Sequence, residues 1–313
     1  MCAARLCVAL DSFPSVGCSM KMMSEILLLA LLLSIATYGN GQVKSHEQTR
    51  VADSMLLAAS KCDTNKAKSL LAQGVSANLI DRRGNTVLMY AVEIGCDEMV
   101  KALLSAGAKV NQRAKYGGTP LMTAAFKGHI NLARILIDAG ANINAKDGAG
   151  WTALTHAVVY QRAEMINLLL DKGADVNTRN KKGDTPLITA ASSDKVNIVK
   201  LLIASGAKVN ERNNAGWTAL TYSACTPHSD ILKVLINAGA DINARDNEGK
   251  TPLMWSALSG SIEAVKELLL VGTDINAIDK NGKSALVYAA EAKKNSLEVI
   301  EVLKRAGAKD DMR

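Results

Sequence analysis

The sequence predicts an all-α fold, a solenoid of stacked helix–turn–helix units, because three columns of residues recur every 33 positions. Two columns are glycine and one is asparagine, and all three run in register through the chain. Their members are Gly84, Gly117, Gly150, Gly183, Gly216, Gly249 and Gly282; Gly74, Gly107, Gly140, Gly173, Gly206, Gly239 and Gly272; and Asn78, Asn111, Asn144, Asn177, Asn210, Asn243 and Asn276. The hexapeptide GWTALT, found at 150–155 and 216–221, is two copies of this unit and not a duplicated active site.

Each element of the unit follows from its own residues. Asp or Asn opens a turn in six of the seven full units, and the glycine three residues later can take a positive φ. In a representative unit, Thr185 caps the first helix and Pro186 occupies its first turn. The second helix carries Ile198 and Leu202 on one face and ends at Gly206. Helices this short are marginal alone, so they are expected to persist by stacking on neighbouring units.

The period of 33, the helix start TPL, and the segments GADVN and GADIN resemble the ankyrin-repeat pattern over residues 51–313. The resemblance implies an ankyrin-type α-solenoid with protruding β-hairpin-like turns and a concave surface that binds partners. One feature departs from the family pattern, which places histidine after TPL. That column reads Met89, Met122, Thr155, Ile188, Thr221, Met254 and Val287, so apolar packing is expected to replace the histidines in most copies.

The repeat boundaries divide most of the chain. Residues 51–80 lack the turn and the TPL start and are predicted to be a degenerate N-terminal capping repeat. Seven ankyrin-like repeats follow over 81–313, at 81–113, 114–146, 147–179, 180–212, 213–245, 246–278 and 279–313. The last carries two extra residues between its helices.

The N-terminus reads as a targeting segment. Residues 20–41 hold Lys21, an apolar run and a small-residue exit, which is the pattern of a secretory signal peptide. Residues 1–19 are then a leader extension or a mis-assigned start, and 42–50 a linker. Export without a dense disulfide framework favours a bacterial protein, periplasmic or secreted. An uncleaved signal that anchors the chain in the membrane is the alternative; otherwise membrane contact is transient, through the signal peptide.

Composition and motifs argue against several functions. The chain has 37 basic and 30 acidic residues and a formal charge of +7, but no basic run typical of a nucleic-acid tail, so nucleic acid is not favoured as a partner. No nucleophile elbow, phosphate-binding loop or zinc-protease motif is present. The segment CTPH at 225–228 offers two metal ligands but reads better as a turn. We expect no catalytic residue, metal, cofactor or small-molecule substrate.

Cys62 and Cys96 fall at almost equivalent turns of adjacent units. Stacked helices lie about 8–10 Å apart, whereas a disulfide needs Cα atoms within about 7 Å. The offset of one residue could close that gap in an oxidising compartment. A disulfide and two partly buried thiols both remain open.

The residue before each new unit forms a basic column. We call Arg113, Lys146, Arg179, Arg212 and Arg245 the basic ladder; the next member of the column is Ile278. Further cations lie near it on the turn tips, at Arg82, Arg83, Lys115, Lys181 and Lys182. The ladder could attract an acidic protein surface. Alternatively, each base pairs with the acid that opens the next turn, as Lys146 with Asp147 and Arg245 with Asp246.

Aromatic residues add candidate anchors, since Trp, Tyr and Arg are the residues most often found as interface hot spots. The candidates are Tyr116, Phe126, Trp151, Tyr160 and Trp217, although each tryptophan could instead cover the adjacent turn. A separate column, which the family pattern makes inward-facing, holds Tyr90, Tyr222, Trp255 and Tyr288.

The sequence thus predicts a non-enzymatic protein–protein interaction scaffold whose partner is an acidic protein. An inhibitor or stabiliser of a periplasmic enzyme and a secreted factor acting on host proteins are the alternatives. Binding of an anionic polymer is less favoured, because many acidic residues dilute the basic field.

Overall fold

A computed structural model of the chain describes residues 46–309 apart from 193–194, 227–228 and 293–294. The chain divides into two units, 1–49 and 50–313, and of the first only the helical residues from His46 onward are described. The predicted leader extension and signal peptide lie outside the described residues. The second unit holds the repeats.

Sixteen α-helices in eight pairs form the described part of the chain. They are α1 (His46–Ser60) and α2 (Thr64–Ala72); α3 (Val87–Ile94) and α4 (Asp97–Ser105); α5 (Pro120–Lys127) and α6 (Ile130–Asp138); α7 (Ala153–Val159) and α8 (Ala163–Asp171); α9 (Pro186–Ala190) and α10 (Val196–Ala204); α11 (Ala219–Ala224) and α12 (Asp230–Asn237); α13 (Pro252–Ser259) and α14 (Ile262–Leu270); α15 (Ala285–Glu291) and α16 (Ser296–Arg305). Apart from an isolated bridge between Ile80 and Thr86, these residues form no β-structure. The predicted all-α solenoid is confirmed.

The N-terminal helix is longer than the sequence suggested. α1 begins at His46, so residues 46–50, which the sequence analysis assigns to a linker, are helical. Its side chains Met55 and Ala59 are fully buried, because they pack in the same continuous core as the repeats. The N-terminal capping repeat is therefore a helix pair like the other repeats.

Threonine caps begin the first helices. The Thr119 hydroxyl accepts a hydrogen bond from the backbone N–H of Met122 at 3.3 Å, and Pro120 occupies the first turn, where no N–H is needed. The equivalent threonines Thr152 and Thr185 cap their helices in the same way. Ser284 takes this place before α15 without a capping bond.

Stacking buries one leucine column on each helix layer. From α3 to α15, the first helix of each unit packs against the first helix of the next. The buried columns are Leu88, Leu121, Leu154, Leu187, Leu220, Leu253 and Leu286 on the first helices, and Leu103, Leu136, Leu169, Leu202, Leu235, Leu268 and Leu303 on the second. Because each full unit packs its two helices against each other and against the neighbouring units, the core is continuous along the stack.

Four members of the column after TPL are apolar and buried, as expected. Met89, Met122, Ile188 and Met254 are each at most 5% exposed. Thr155 instead pairs its hydroxyl with the capping threonine of its own helix, as does its counterpart two units later. Apolar packing and local capping therefore replace the histidines of the family pattern.

Two sets of hydrogen bonds tie each unit to the next outside the core. The Asn111 amide donates to the carbonyl oxygen of Gly140 at 2.9 Å and accepts from the N–H of Asn142 at 2.7 Å. At the turn tips, single backbone bonds run from one unit to the preceding one, as from Gly148 N–H to the Tyr116 carbonyl at 2.7 Å. The asparagine column is thus a set of inter-repeat ties.

Among the described residues, no helix combines the length and the apolar character needed to cross a bilayer, and no cluster of acidic, histidine or cysteine residues could hold a metal ion. In CTPH, Cys225 follows α11, while Pro227 and His228 lie outside the described residues.

Candidate partner-binding surface

Each member of the basic ladder donates a hydrogen bond to the backbone carbonyl of the next member of its column. The bonds run from Arg113 to the Lys146 carbonyl, from Lys146 to Arg179 at 2.9 Å, from Arg179 to Arg212 at 2.6 Å, from Arg212 to Arg245, and from Arg245 to Ile278 at 2.7 Å. All five residues are exposed. The ladder is therefore a continuous tie between successive repeats that keeps its cations at the surface.

The alternative prediction, that Lys146 and Arg245 pair with the acids that open the adjacent turns, is wrong. Asp147 accepts hydrogen bonds from the backbone N–H groups of its own turn and lies 3.2 Å from the ring of His156. Asp246 likewise accepts from its own turn and from the Trp255 indole. These carboxylates point into their own turns because several backbone N–H groups donate to them there. The basic side chains hydrogen-bond to backbone carbonyl groups instead.

The turn glycines make room for the ladder side chains. The Arg212 Nε also donates to the carbonyl of Gly216 in its own turn, at 3.2 Å. Gly216 has φ +80, and a Cβ atom there would lie 2.7 Å from Arg212 Nη2. The glycine thus serves both the left-handed turn and the passage of the guanidinium.

Most of the ladder charge is not neutralised by a carboxylate. Arg179 forms an ion pair with Glu211 at 2.9 Å. Within the described ranges, no ion pair is formed by Arg113, Lys146, Arg212 or Arg245. A shallow cleft lies where Arg179 and Arg212 meet Lys208, and Glu211 lines it with them.

A second column of residues stands nine positions after the turn-opening residues, and three aromatic members of it donate hydrogen bonds back to those residues. The Tyr90 hydroxyl donates to Asp81 at 2.8 Å, the Trp255 indole to Asp246 at 3.0 Å, and the Tyr288 hydroxyl to Asp279 at 2.6 Å. Of the four aromatics that the family pattern makes inward-facing, these three are buried and Tyr222 is half-buried.

His156 belongs to the same column, although it is not among the aromatic residues that the sequence pattern assigned there. The available signal was the repeated spacing of nine between a turn-opening Asp or Asn and a ring that can donate.

These contacts shift the pKa values of the paired groups. Burial would raise the pKa of Asp279, but the hydrogen bonds from Tyr288 and from the backbone N–H groups of Lys283 and Asn281 outweigh it and lower the pKa. Burial and the bond to Asp279 raise the pKa of Tyr288. Burial would likewise raise the pKa of Asp147, but the hydrogen bonds from His156 and from the backbone N–H groups of Trp151 and Ala149 together outweigh it and lower the pKa.

Both candidate tryptophans are half-buried, and each packs against a ring nine residues after a turn-opening position. The Trp217 ring centroid is 4.7 Å from that of Tyr222 and 4.5 Å from that of Trp255 in the next unit. We call Trp217, Tyr222 and Trp255 the aromatic cluster. The Trp151 ring lies 5.5 Å from His156. Each tryptophan thus covers neighbouring rings while part of its own surface stays open.

The other aromatic candidates lie elsewhere on the repeats. Phe126 and Tyr160 meet edge-to-face with centroids 4.3 Å apart, at the ends of α5 and α7. Tyr116 sits on a turn tip and is 78% exposed. In the described part of the chain, no ring contact joins these residues to the aromatic cluster.

Of the two alternatives left open for Cys62 and Cys96, the structure shows the disulfide. Cys62 and Cys96 have Cα atoms 5.7 Å apart and are joined by a disulfide in the structure. The separation is smaller than the spacing of helix axes because both residues lie in inter-helix turns, Cys62 with φ +56 and Cys96 before α4.

A family model described as ankyrin repeats (3 copies) matches the chain over 32–114, 54–147, 112–180, 175–246 and 228–313. A comparison with curated proteins finds no match. The overlapping family matches span all eight helix pairs, and the helix pairs stack with the 33-residue period that the sequence shows. The chain belongs to the ankyrin-repeat family.

Proposed function

We propose that this protein is a non-enzymatic scaffold that binds an acidic protein through the basic ladder and the aromatic cluster. Ankyrin repeats are typical of protein–protein interaction scaffolds. The family's arrangement implies that the turns and first helices face a concave groove, and we place the binding surface there.

The observation that carries the proposal is the pairing pattern of the ladder. Four of its five cations have no carboxylate partner among the described residues, yet hydrogen bonds to the next repeat hold every one of them in place. A side chain already fixed loses little further freedom on binding. Exposed cations at regular spacing also steer an acidic surface toward the groove.

The aromatic cluster supports the same surface with an apolar anchor. Arg212 contacts Gly216, and Trp217 is the next residue, so one turn presents a guanidinium beside an indole. Arg and Trp are enriched among residues that dominate binding energy. Trp217 and the ladder can therefore act together on one partner segment that carries an acidic and an apolar side chain.

We further propose export, with residues 20–41 as the signal, into the periplasm or the medium. The partner would then be a periplasmic enzyme that the scaffold inhibits or stabilises, or a host protein. No described residue bears on this choice.

Affinity capture with the mature chain from its own compartment tests the proposal. The test variant combines Arg212→Gln with Arg245→Gln, which removes two charges while leaving amide donors; Arg212→Lys with Arg245→Lys is the charge-preserving control. We expect an acidic protein to be captured by the wild type and the Lys variant and lost from the Gln variant. Capture that all three share equally would contradict a role for the ladder.

Binding to an anionic polymer is distinguished by a heparin column. Retention of the wild type on heparin, lost at moderate salt while no protein is captured, would identify a polyanion as the ligand and overturn the protein-partner proposal.

A further inference from the structure

The N-cap residues of four second helices reach back to the preceding unit, to the end of its first helix or to the turn that follows. The Ser261 hydroxyl donates to the Thr226 carbonyl at 2.7 Å and the Asn295 amide to the Gly260 carbonyl at 3.0 Å. The Arg162 Nε donates to the Phe126 carbonyl at 3.3 Å, and His129 Nε2 lies 3.4 Å from the Glu93 carbonyl. Residue types differ, but each joins two repeats at the same place.

For His129 and Arg162, a glycine in the preceding turn leaves the space that the side chain fills. A Cβ atom on Gly95 would lie 3.0 Å from the His129 ring, and one on Gly128 would lie 3.1 Å from Arg162. Both glycines have positive φ, at +87 and +81. The glycine and the N-cap side chain of the next unit therefore form a matched pair.

Cys62 and Cys96 occupy this matched pair at the first junction. Cys62 stands one period before Gly95 and adopts the same left-handed region, while Cys96 is the N-cap residue of α4. Here a disulfide takes the place of the glycine and the hydrogen bond. A non-glycine residue rarely adopts this conformation unless its surroundings hold it there.

The first junction lacks the hydrogen bond that the ladder makes at later junctions. Ile80 holds the ladder position of the capping unit and has no side-chain donor for the Arg113 carbonyl. The cross-junction hydrogen bonds include those of Asn78, to the Gly107 carbonyl at 2.9 Å and from the Lys109 N–H at 2.7 Å. End units of a repeat array have one neighbour only, so they open first.

We propose that Cys62 and Cys96 are a redox modification site that locks the N-terminal capping unit onto the first full repeat. Formation removes two protons and two electrons from the two thiols, and a disulfide oxidant such as glutathione disulfide takes them up and leaves as two thiols. Cys62 is exposed and Cys96 is buried, so an exchanging thiol reaches the bond at the Cys62 sulfur. The capping unit is then closed in an oxidising compartment and opens in a reducing one.

Hydrogen exchange of the mature chain in oxidised and reduced glutathione buffers tests this site. A Cys62→Ser, Cys96→Ser variant removes the bond. A Cys62→Gly, Cys96→His variant installs the pair seen at Gly95 and His129, and Cys225→Ser controls for the third cysteine. Alkylation followed by intact mass measurement counts the free thiols.

We expect one free thiol in the oxidised protein and three after reduction. Reduction or the Ser variant should speed exchange in α1 and α2 by at least about tenfold while α13–α16 stay unchanged. The Gly/His variant should show intermediate protection that reductant does not alter. Three free thiols under oxidising conditions, or equal exchange in the oxidised, reduced and Ser forms, would overturn the proposal.

Discussion

The guanidinium of Arg179 donates a hydrogen bond to the backbone carbonyl oxygen of Arg212, 33 residues further along the chain, across 2.6 Å. The bond joins equivalent positions of two repeats, and four others like it extend the ladder from Arg113 to Ile278. A surface that sequence alone presents as a row of charges is thus also part of what aligns the repeats.

The ladder contributes to stability through its donors rather than through ion pairs. Arg245→Ala removes the bonds to the carbonyls of Ile278 and Gly249 and should lower the free energy of unfolding by about 1 kcal/mol. Arg245→Lys should lose less, because Lys146 makes the same kind of bond elsewhere in the column. Urea unfolding of the three proteins measures the difference. Equal stability of the wild type and the Ala variant would show that these bonds contribute nothing.

Gly216 should be less tolerant of a side chain than a glycine in open surroundings. Gly216→Ala puts a Cβ atom 2.7 Å from both Arg212 Nη2 and the Asn247 nitrogen, in addition to the strain of φ +80. Gly239 has φ +83 and no atom within 4 Å of such a Cβ, so Gly239→Ala measures the strain alone, about 1 kcal/mol. We expect the Gly216 variant to have the lower melting temperature of the two. The reverse order would mean that the turn moves freely away from the ladder.

Trp217 should act both in packing and in binding. Trp217→Ala removes ring contacts with Tyr222 and Trp255 and should cost about 2 kcal/mol of stability, whereas Trp217→Phe should cost about half as much. Thermal unfolding gives the stability, and titration with the captured partner gives the affinity. If Trp217→Phe leaves the fold intact and the affinity unchanged, Trp217 is packing cover only.

Asp279 should make stability depend on acidic pH. Its folded pKa is lowered, so its contribution is complete above the ordinary pKa of about 4 and is lost as pH falls through the folded value. Asp279→Asn should remove this part of the acid loss; asparagine fits the column, since Asn180 and Asn213 stand there in other units. Unfolding measured between pH 2 and pH 7 tests this range. An acid profile identical to that of the wild type would show that Asp279 has the same pKa in both states.

The repeated columns predict the helix pairs, the caps and the leucine core, because each depends on local sequence or on neighbours one period away. Partners of the ladder were not predictable in this way, since any residue supplies a backbone carbonyl. The distance between Cys62 and Cys96 could not be inferred from the spacing of helix axes, because it depends on a left-handed turn residue that only the backbone geometry reveals. The helical residues 46–50 carry no repeat signature, which is why they read as a linker.

Measuring partner affinity against salt concentration tests the central claim most directly. The proteins compared are the wild type, the Arg212→Gln, Arg245→Gln variant and the matched Lys variant. If the ladder provides the charge that the partner recognises, affinity falls with rising salt for the wild type and the Lys variant, and the Gln variant is weaker with a shallower slope. The same affinity and slope for all three proteins would contradict a basic ladder that binds an acidic partner.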